Sequence, residues 1–336
     1  MGRKKNVLLL LIVLLAVLTV VSVMVGRYSL SWHDIVEILR NRLAGSGDGS
    51  GRETVLLQSR LPRIAAAILI GCGLSVSGAG YQGIFRNPMV SPDLLGASAG
   101  AGFGAALGLL WGMPTVAVQC MAFCSGIAAV LITGLISRMV GGHMENNRLL
   151  LVLSGIVTGS LFQAFISIIK YVADPFDTMP SIAFWLMGGL TYVTASDLLI
   201  LAVPVIAGTV VMLLLRWRIN LLSFGTDEAE AMGVPVKKYQ AVIILCATFM
   251  TAACVAVGGM IGWVGLIIPH FARLMAGSDY RRMLPCSAVM GAAFLLLVDD
   301  VARCAFPQEL PIGILTAIVG APVFIALLAK GRKGFL

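Results

Sequence analysis

The sequence predicts an all-α integral membrane protein, with about ten transmembrane helices in a single domain, residues 1–336. The chain is 59% hydrophobic and 12% charged, whereas soluble domains carry about 25% charged residues. Apolar runs of roughly 20 residues, the length that crosses a bilayer, recur along the whole chain. Gly and Pro interrupt several of these runs, which is typical of broken or short helices in transporters.

The apolar runs give ten expected spans, which in chain order are 7–26, 61–83, 93–112, 115–138, 148–170, 195–215, 239–261, 264–277, 284–303 and 311–329. The first span follows Arg3, Lys4 and Lys5. Its apolar core is longer than the roughly 7–15 residues of a signal peptide, so we expect an uncleaved span. The eighth span is short and begins in a broken region. Outside the spans, 31–39 predicts an amphipathic helix and 185–189 predicts part of a surface helix.

Positive charge predicts the orientation of the chain. With the N-terminus inside, the cytoplasmic ends and loops carry 16 of the 24 Lys and Arg residues. This excess is what the positive-inside rule expects. Both termini and the charged segment 216–238 then face the cytoplasm of a multi-pass protein.

The segment 216–238 interrupts the apolar pattern with the sequence RWRINLLSFGTDEAEAMGVPVKK. It predicts a short helix in which Thr226 is the N-cap, Asp227, Glu228 and Glu230 follow in the helix, and Gly233 stops it after Met232. Because apolar spans flank this helix, we expect it to be the contact for a cytoplasmic partner.

Small residues form two stripes on the expected spans. Gly96, Gly100, Gly104 and Gly108 recur every fourth residue, which allows close helix packing. A second face of small and polar residues contains Ser154, Gly155, Thr158, Gly159 and Ser160. Each stripe has two interpretations, helix packing or the wall of a translocation path.

Catalytic and metal-binding patterns are absent from the sequence. It has no H-E-x-x-H zinc motif, no G-x-S-x-G elbow and no phosphate-binding G-x-x-x-x-G-K-[ST] loop, so we expect no ATP hydrolysis by the chain itself. His270, Asp299 and Asp300 are the ionisable residues nearest the spans, and we expect the two acids to be satisfied at a span end by solvent or by i,i+4 pairing with Arg303. The seven cysteines predict no disulfide framework. The net charge of +8 reflects topology rather than nucleic-acid binding.

Arg60 and Arg63 lie on the expected outer face, against the positive-inside trend, and Arg303 joins them there. One interpretation is that their side chains snorkel to lipid headgroups. The other is a cationic docking patch for an acidic protein.

Long blocks of this sequence resemble the iron-chelate and cobalamin importer permeases, the FecCD family. The blocks are RLPR at 60–63, GAGYQGIFRNPMVSPDLLGASAGAGFG at 78–104, GWVGLIIPHFARLMAGSDYRRMLP at 262–285 and ELPIGILTAIVGAPVFIALL at 309–328. Together with the segment 216–238, they extend over essentially the whole chain.

The resemblance implies a ten-span permease of the bacterial inner membrane, a type II ABC importer subunit that works by alternating access. It implies a second permease subunit, usually identical, two ATP-binding cassette subunits that use ATP and Mg²⁺, and a periplasmic or lipid-anchored binding protein. No cofactor and no metal is implied for this chain. Arg60, Arg63 and Arg303 match the positions that dock the binding protein, and 221–238 matches the coupling helices, where Glu228, Glu230 and Met232 are expected to transmit force.

Two other functions remain open at this point. A secondary transporter driven by an ion gradient would explain the spans and the broken helices, but it would require a buried carboxylate relay. An intramembrane enzyme would rest on His270 and Asp299 alone. The resemblance favours iron–siderophore or haem as cargo, with cobalamin as a further candidate and oxyanions of the molybdate type carried by some members.

Overall fold

A computed structural model of the protein describes residues 6–26, 28, 30–44, 50–141, 148–305 and 308–332. The helices in this part of the chain are α1 (Val7–Met24), α2 (Trp32–Leu43), α3 (Gly51–Thr54), α4 (Leu61–Phe85), α5 (Ala97–Leu110), α6 (Thr115–Gly141), α7 (Arg148–Val172), α8 (Thr178–Met187), α9 (Asp197–Phe224), α10 (Thr226–Ala231), α11 (Val236–Gly258), α12 (Val264–Ala276), α13 (Tyr280–Cys304) and α14 (Ile312–Arg332). The basic residues that precede the first predicted span lie outside the described residues.

The all-α prediction is confirmed, and each of the ten predicted spans corresponds to a helix. Within the described residues, seven helical stretches, among them 51–85 as one unit, are long and apolar enough to cross a membrane. The shorter apolar helices are α5, α8, α12 and residues 312–327 of α14. The predicted amphipathic helix is α2, which Ser31 and Asp34 cap reciprocally. Of the segment predicted to belong to a surface helix, residues 185–187 form the end of α8, and Gly188 follows it.

Several predicted boundaries were wrong, most of them because helices continue past their apolar runs. The sixth span was expected to end at residue 215, yet α9 continues to Phe224. Arg216 and Arg218 are tolerated there because long basic side chains reach out from a helix end. The second span begins earlier than expected, since a π-helical turn at Val55–Arg60 joins α3 to α4. The seventh ends earlier, because Gly259 leaves the helix with a φ of 68°.

The core is built on α4, α11 and α13, whose residues are mostly buried. Glycines let these helices approach closely. A Cβ at Gly71 would lie 2.2 Å from the Gly291 carbonyl oxygen on α13, and a Cβ at Gly78 would lie 1.8 Å from that of Gly265 on α12. Because no side chain fits at either contact, α4 is held directly against both helices.

Two breaks in the helical pattern shape the interior. The chain between α4 and α5 includes a short 3₁₀ turn, Pro92–Leu95, and Gly96 follows it with a φ of 82°. The other break separates α11 from α12, where Trp263 has a φ of 72°. These breaks are the irregular segments that Gly and Pro predicted.

The two ends of the bundle are distinct. The end that carries α2 also holds the segments 112–114, 188–196 and 308–311, and we call it the α2 end. The opposite end carries α10, the turn at 86–91 and the 277–279 connection, and we call it the α10 end.

Candidate functional site

The arginines predicted to dock a partner are buried at the α2 end. Arg63 Nε donates to both carboxylate oxygens of Asp299, at 2.9 and 3.1 Å, and its Nη1 donates to Glu309 at 2.8 Å. Arg303 pairs with Asp299 at 3.4 Å and with Asp300. These five side chains form one network, which we call the ion-pair cluster.

Two of the arginines also hold the C-terminal end of α1. Arg60 Nη1 donates to the carbonyl oxygens of Val23 at 2.6 Å and Met24 at 3.2 Å. Arg303 Nη2 donates to the Ser22 carbonyl at 3.2 Å and to its hydroxyl at 2.8 Å. Cations are favourable at a helix C-terminus because they complement the exposed carbonyl groups.

The structure corrects two expectations about these residues. Pairing of Arg303 with the acids one turn earlier is confirmed, but solvent plays no part at Asp299, which is 0% exposed. Snorkelling of Arg60 and Arg63 to lipid is wrong, since their relative exposures are 4% and 6%. Their guanidinium groups bind partners inside the chain, so a direct contact with another protein would require these internal bonds to open.

A cavity of about 800 Å³ opens beside the ion-pair cluster. Arg63 and Glu309 form part of its wall, together with Gln119 and Asp197. Gln119 Nε2 donates to Asp197 at 3.0 Å, while Gln119 Oε1 is buried without a hydrogen-bond partner. The sequence analysis missed Glu309, Gln119 and Asp197, because nothing in their local pattern shows that distant segments meet here.

The predicted partner contact at the α10 end is an exposed surface. Asp227, Glu228, Glu230 and Met232 are all exposed, and Met232 retains 52% of its accessible surface. Ala229 points the other way and is fully buried. The helix α10 therefore presents acids and a methionine outward while one alanine fixes it to the protein.

The predicted cap of this helix was wrong at its start and right at its end. Thr226 is the first helical residue, and Gly225 stands at the N-cap without a side-chain bond. A single extended glycine separates α9 from α10, which leaves no room for a threonine cap before the helix. Gly233 does stop the helix, with a φ of 74° and its N–H donating to the Glu230 carbonyl at 2.8 Å.

Three of the four stripe glycines lie on α5 and face α6, whereas Gly96 precedes α5 and faces α7. A Cβ at Gly100 would lie 2.7 Å from the Ser125 carbonyl oxygen, and a Cβ at Gly104 would lie 2.3 Å from that of Met121. A Cβ at Gly108 would contact Val118, which also lies on α6. These contacts fit the packing interpretation of the stripe.

The small-residue face of α7 also turns inward. Ser154 and Thr158 are buried, and a Cβ at Gly155 would lie 2.1 Å from the Leu94 carbonyl oxygen. Gly159 meets Gly96. Ser160 is exposed, as are the apolar neighbours at 156, 157 and 161, so it is the apolar face of α7 that the single chain leaves open.

His270 lies half-buried on α12. Within the described ranges, no group of three or more His, Cys, Asp or Glu side chains comes together to hold a metal ion.

The FecCD transport family matches residues 14–330. The chain is 38% identical over 324 residues to the molybdate import system permease protein MolB of Haemophilus influenzae, covering 96% of this chain and 95% of that protein. It is 34% identical over 341 residues to the hemin transport system permease protein HmuU of Yersinia pestis, covering 99% and 98%.

A solved structure is similar over nearly the same length. It is described as an inward-facing conformation of a transporter assigned to the metal-chelate type of ABC transporter. The TM-score is 0.85 at 37% identity, covering 97% of this chain and 99% of the other.

Proposed function

The chain belongs to the FecCD transport family, and on that premise we propose that it carries a bulky iron chelate, a siderophore complex or haem, across the bacterial inner membrane. It is a multi-pass membrane protein and the permease component of an ABC importer. Permeases of this class are non-catalytic and work with ATPase subunits and a substrate-binding protein. The family match over residues 14–330 is the observation that carries the function.

The choice of an iron chelate is supported by two similarities. HmuU is named for hemin, and the solved neighbour is assigned to the metal-chelate type. MolB, named for molybdate, is similar to a comparable degree. Molybdate and cobalamin are therefore the competing cargoes that an experiment must include.

The α10 end is proposed to face the cytoplasm and to receive the ATPase subunits. The exposed acids on α10 and the exposed Met232 just after it support this assignment, as does the positive charge of Arg281, Arg282, Lys237 and Lys238 around it. In this arrangement ATP-driven closure of the ATPase pair displaces α10, and the permease alternates between its two openings.

The α2 end is proposed to receive the substrate-binding protein. Arg60, Arg63 and Arg303 keep their predicted docking role as a proposal, in which acids on the binding protein compete for guanidinium groups now held by the ion-pair cluster or, for Arg60, by the carbonyl groups at the end of α1. Charge reversal at these positions should then weaken docking, most strongly at low salt. An unchanged affinity in folded variants would count against this role.

A second copy of this chain is proposed to complete the path. The exposed apolar face of α7, which includes Ile156 and Val157 at 56% and 61% exposure, is available for such a contact. Two copies with two ATPase subunits would form the working importer, and lipid would surround the rest.

The test is reconstitution with the ATPase subunit and the binding protein that associate with this chain. Liposomes containing the complex would be supplied with ATP and, in turn, with ferric siderophore, haem, cobalamin and molybdate. Uptake of an iron chelate that requires ATP and the binding protein supports the proposal. ATP-dependent uptake of molybdate alone would replace the cargo, and uptake driven by an imposed ion gradient without ATP would replace the mechanism.

A further inference from the structure

A polar bridge at the α10 end ties the last turns of α9 to the first turn of α13. Asn220 Nδ2 donates to Asp279 Oδ1 at 2.5 Å, and Asn220 Oδ1 accepts from the Tyr280 backbone N–H at 2.8 Å. The Arg281 guanidinium lies 4.0 Å from the centre of the Trp217 ring. We call these five residues the α9–α13 bridge.

Asp279 has two functions in this bridge. Its side chain caps α13 by accepting from the Arg281 backbone N–H at 2.9 Å, and the same oxygen accepts from Asn220. Burial would raise the pKa of Asp279, but these hydrogen bonds and the charges of Arg281 and Arg282 outweigh it and lower the pKa below its usual value. The carboxylate is therefore ionised at neutral pH, which strengthens both hydrogen bonds.

On one side, the bridge is continuous with α10. Only Gly225 lies between α9 and α10, and its carbonyl accepts from the Ala229 N–H at 3.2 Å. Ala229 and Leu222 are fully buried in the same apolar cluster. A displacement of α10 must therefore move the end of α9 on which Asn220 lies.

On the other side, the bridge is continuous with the packed pair α4 and α13. Gly83 of α4 faces both Ile219 and Tyr280, since an added Cβ would lie 2.6 Å and 3.1 Å from their side chains. Farther along, Gly71 meets Gly291 without any intervening side chain. At the α2 end the same two helices are joined by Arg63 and Asp299.

The connection between α12 and α13 differs from the hydrogen-bonded bridge between α9 and α13. Gly277, between α12 and α13, has a φ of 89°, a conformation that a short connection reaches easily with glycine. Within the described chain, α13 thus begins at a glycine turn on the α12 side and at a hydrogen-bonded bridge on the α9 side.

We propose that the α9–α13 bridge carries the movement of α10 to the α4–α13 pair, with Asn220 and Asp279 as its positioning residues. The inference rests on the proposed function, because α10 must be moved by an ATPase for the bridge to transmit anything. It assigns a coupling role to residues outside α10 that need not touch either the ATPase or the cargo.

The experiment compares variants of the assembled importer in liposomes. Asn220→Ala and Asp279→Ala remove the bridge, whereas Asp279→Asn keeps an acceptor oxygen in the same place. Arg281→Ala removes the stack on Trp217. For each variant, ATPase binding, thermal stability, ATP hydrolysis and cargo transported per ATP are measured.

We expect the two alanine variants of the bridge to bind the ATPase normally but to transport about fivefold less cargo per ATP, the lower range of typical coupling effects. Asp279→Asn should recover most of the wild-type ratio. Arg281→Ala should lower the ratio as well. The Arg281 side chain is exposed, so Arg281→Ala should still assemble. This variant keeps the test decisive if Asn220→Ala fails to assemble.

Two results would overturn the inference. One is an unchanged ratio of transport to hydrolysis in Asp279→Ala and Arg281→Ala. The other is a loss of ATPase binding in both, which would make these residues a docking contact. Failure of the proposed function is distinguishable, since the wild-type complex would then show no ATP-dependent uptake at all.

Discussion

Removing Arg63 should destabilise the protein more than removing its partner Asp299. The ion-pair cluster holds two guanidinium groups, Arg63 and Arg303, against three carboxylates, Asp299, Asp300 and Glu309. Arg63→Met leaves one guanidinium for the three carboxylates, and Asp299 is fully buried. Asp299 keeps only its 3.4 Å pair with Arg303, and breaking a buried ion pair by removing one partner costs about 3–5 kcal/mol.

Asp299→Asn has a different effect on the same cluster. The remaining charges then pair one to one, Arg63 with Glu309 and Arg303 with Asp300, so the cost is the loss of charge-assisted hydrogen bonds, about 1–3 kcal/mol. The double variant Arg63→Met/Asp299→Asn restores the original excess of one carboxylate. Its cost should therefore fall below the sum of the single costs by about 0.5–3 kcal/mol.

The assay is unfolding of the purified permease in mixed micelles, with the SDS fraction raised and helix content followed by circular dichroism. Wild type and the three variants are compared at one protein concentration and one pH. If Arg63→Met proves no more destabilising than Asp299→Asn, or if the double variant is simply additive, the electrostatic description of the cluster is refuted.

Three further outcomes are expected. Gly78→Ala should abolish folded protein, because the new Cβ would lie 1.8 Å from the Gly265 carbonyl oxygen. The control Gly134→Ala should express normally, because its Cβ would meet nothing within 4 Å. Size-exclusion chromatography distinguishes a folded variant from an aggregated one. Since the pKa of Asp279 is lowered, the stability lost in Asp279→Ala should be constant above the unfolded value of 3.8 and should decrease as pH falls through the folded value, to the part that a neutral acceptor oxygen still supplies. Unfolding at a series of pH values tests this, and a stability difference that does not change with pH contradicts it. Glu230→Lys should weaken ATPase association in pull-down experiments without changing permease stability, because this side chain is exposed on α10; equal recovery of the ATPase would refute that contact.

The sequence predicted the helices well because long apolar runs have few alternatives in a membrane protein. It was less accurate where a helix contains charge. The end of α9 carries Arg216 and Arg218, and composition alone places such residues outside a helix. Thr226 was misplaced for a related reason, since a cap motif cannot show that only Gly225 separates two helices.

The ion-pair cluster was beyond sequence reasoning. Arg63 is separated from Asp299 by 236 residues and from Glu309 by 246, so no local pattern links them. The arginines were recognised as exceptional, but their burial follows from how α4 and α13 pack. The α9–α13 bridge was missed for the same reason, because Asn220 and Asp279 are ordinary polar residues until the fold brings them together.

The two arginines that hold the C-terminal end of α1, Arg60 and Arg303, have a consequence for how the chain is synthesised. Among the described residues of α1, only Leu11 and Ser22 are buried, so most of its surface remains open after insertion. Its first clamp, Arg60, is synthesised 37 residues after Val23, and its second, Arg303, follows Ser22 by 281 residues. In a nascent chain, α1 is therefore held by Arg60 alone through most of translation. The hydrogen bonds from Arg303 form only when α13 enters the membrane. Chains truncated before Arg303 should leave α1 loosely attached and accessible to membrane quality-control proteases.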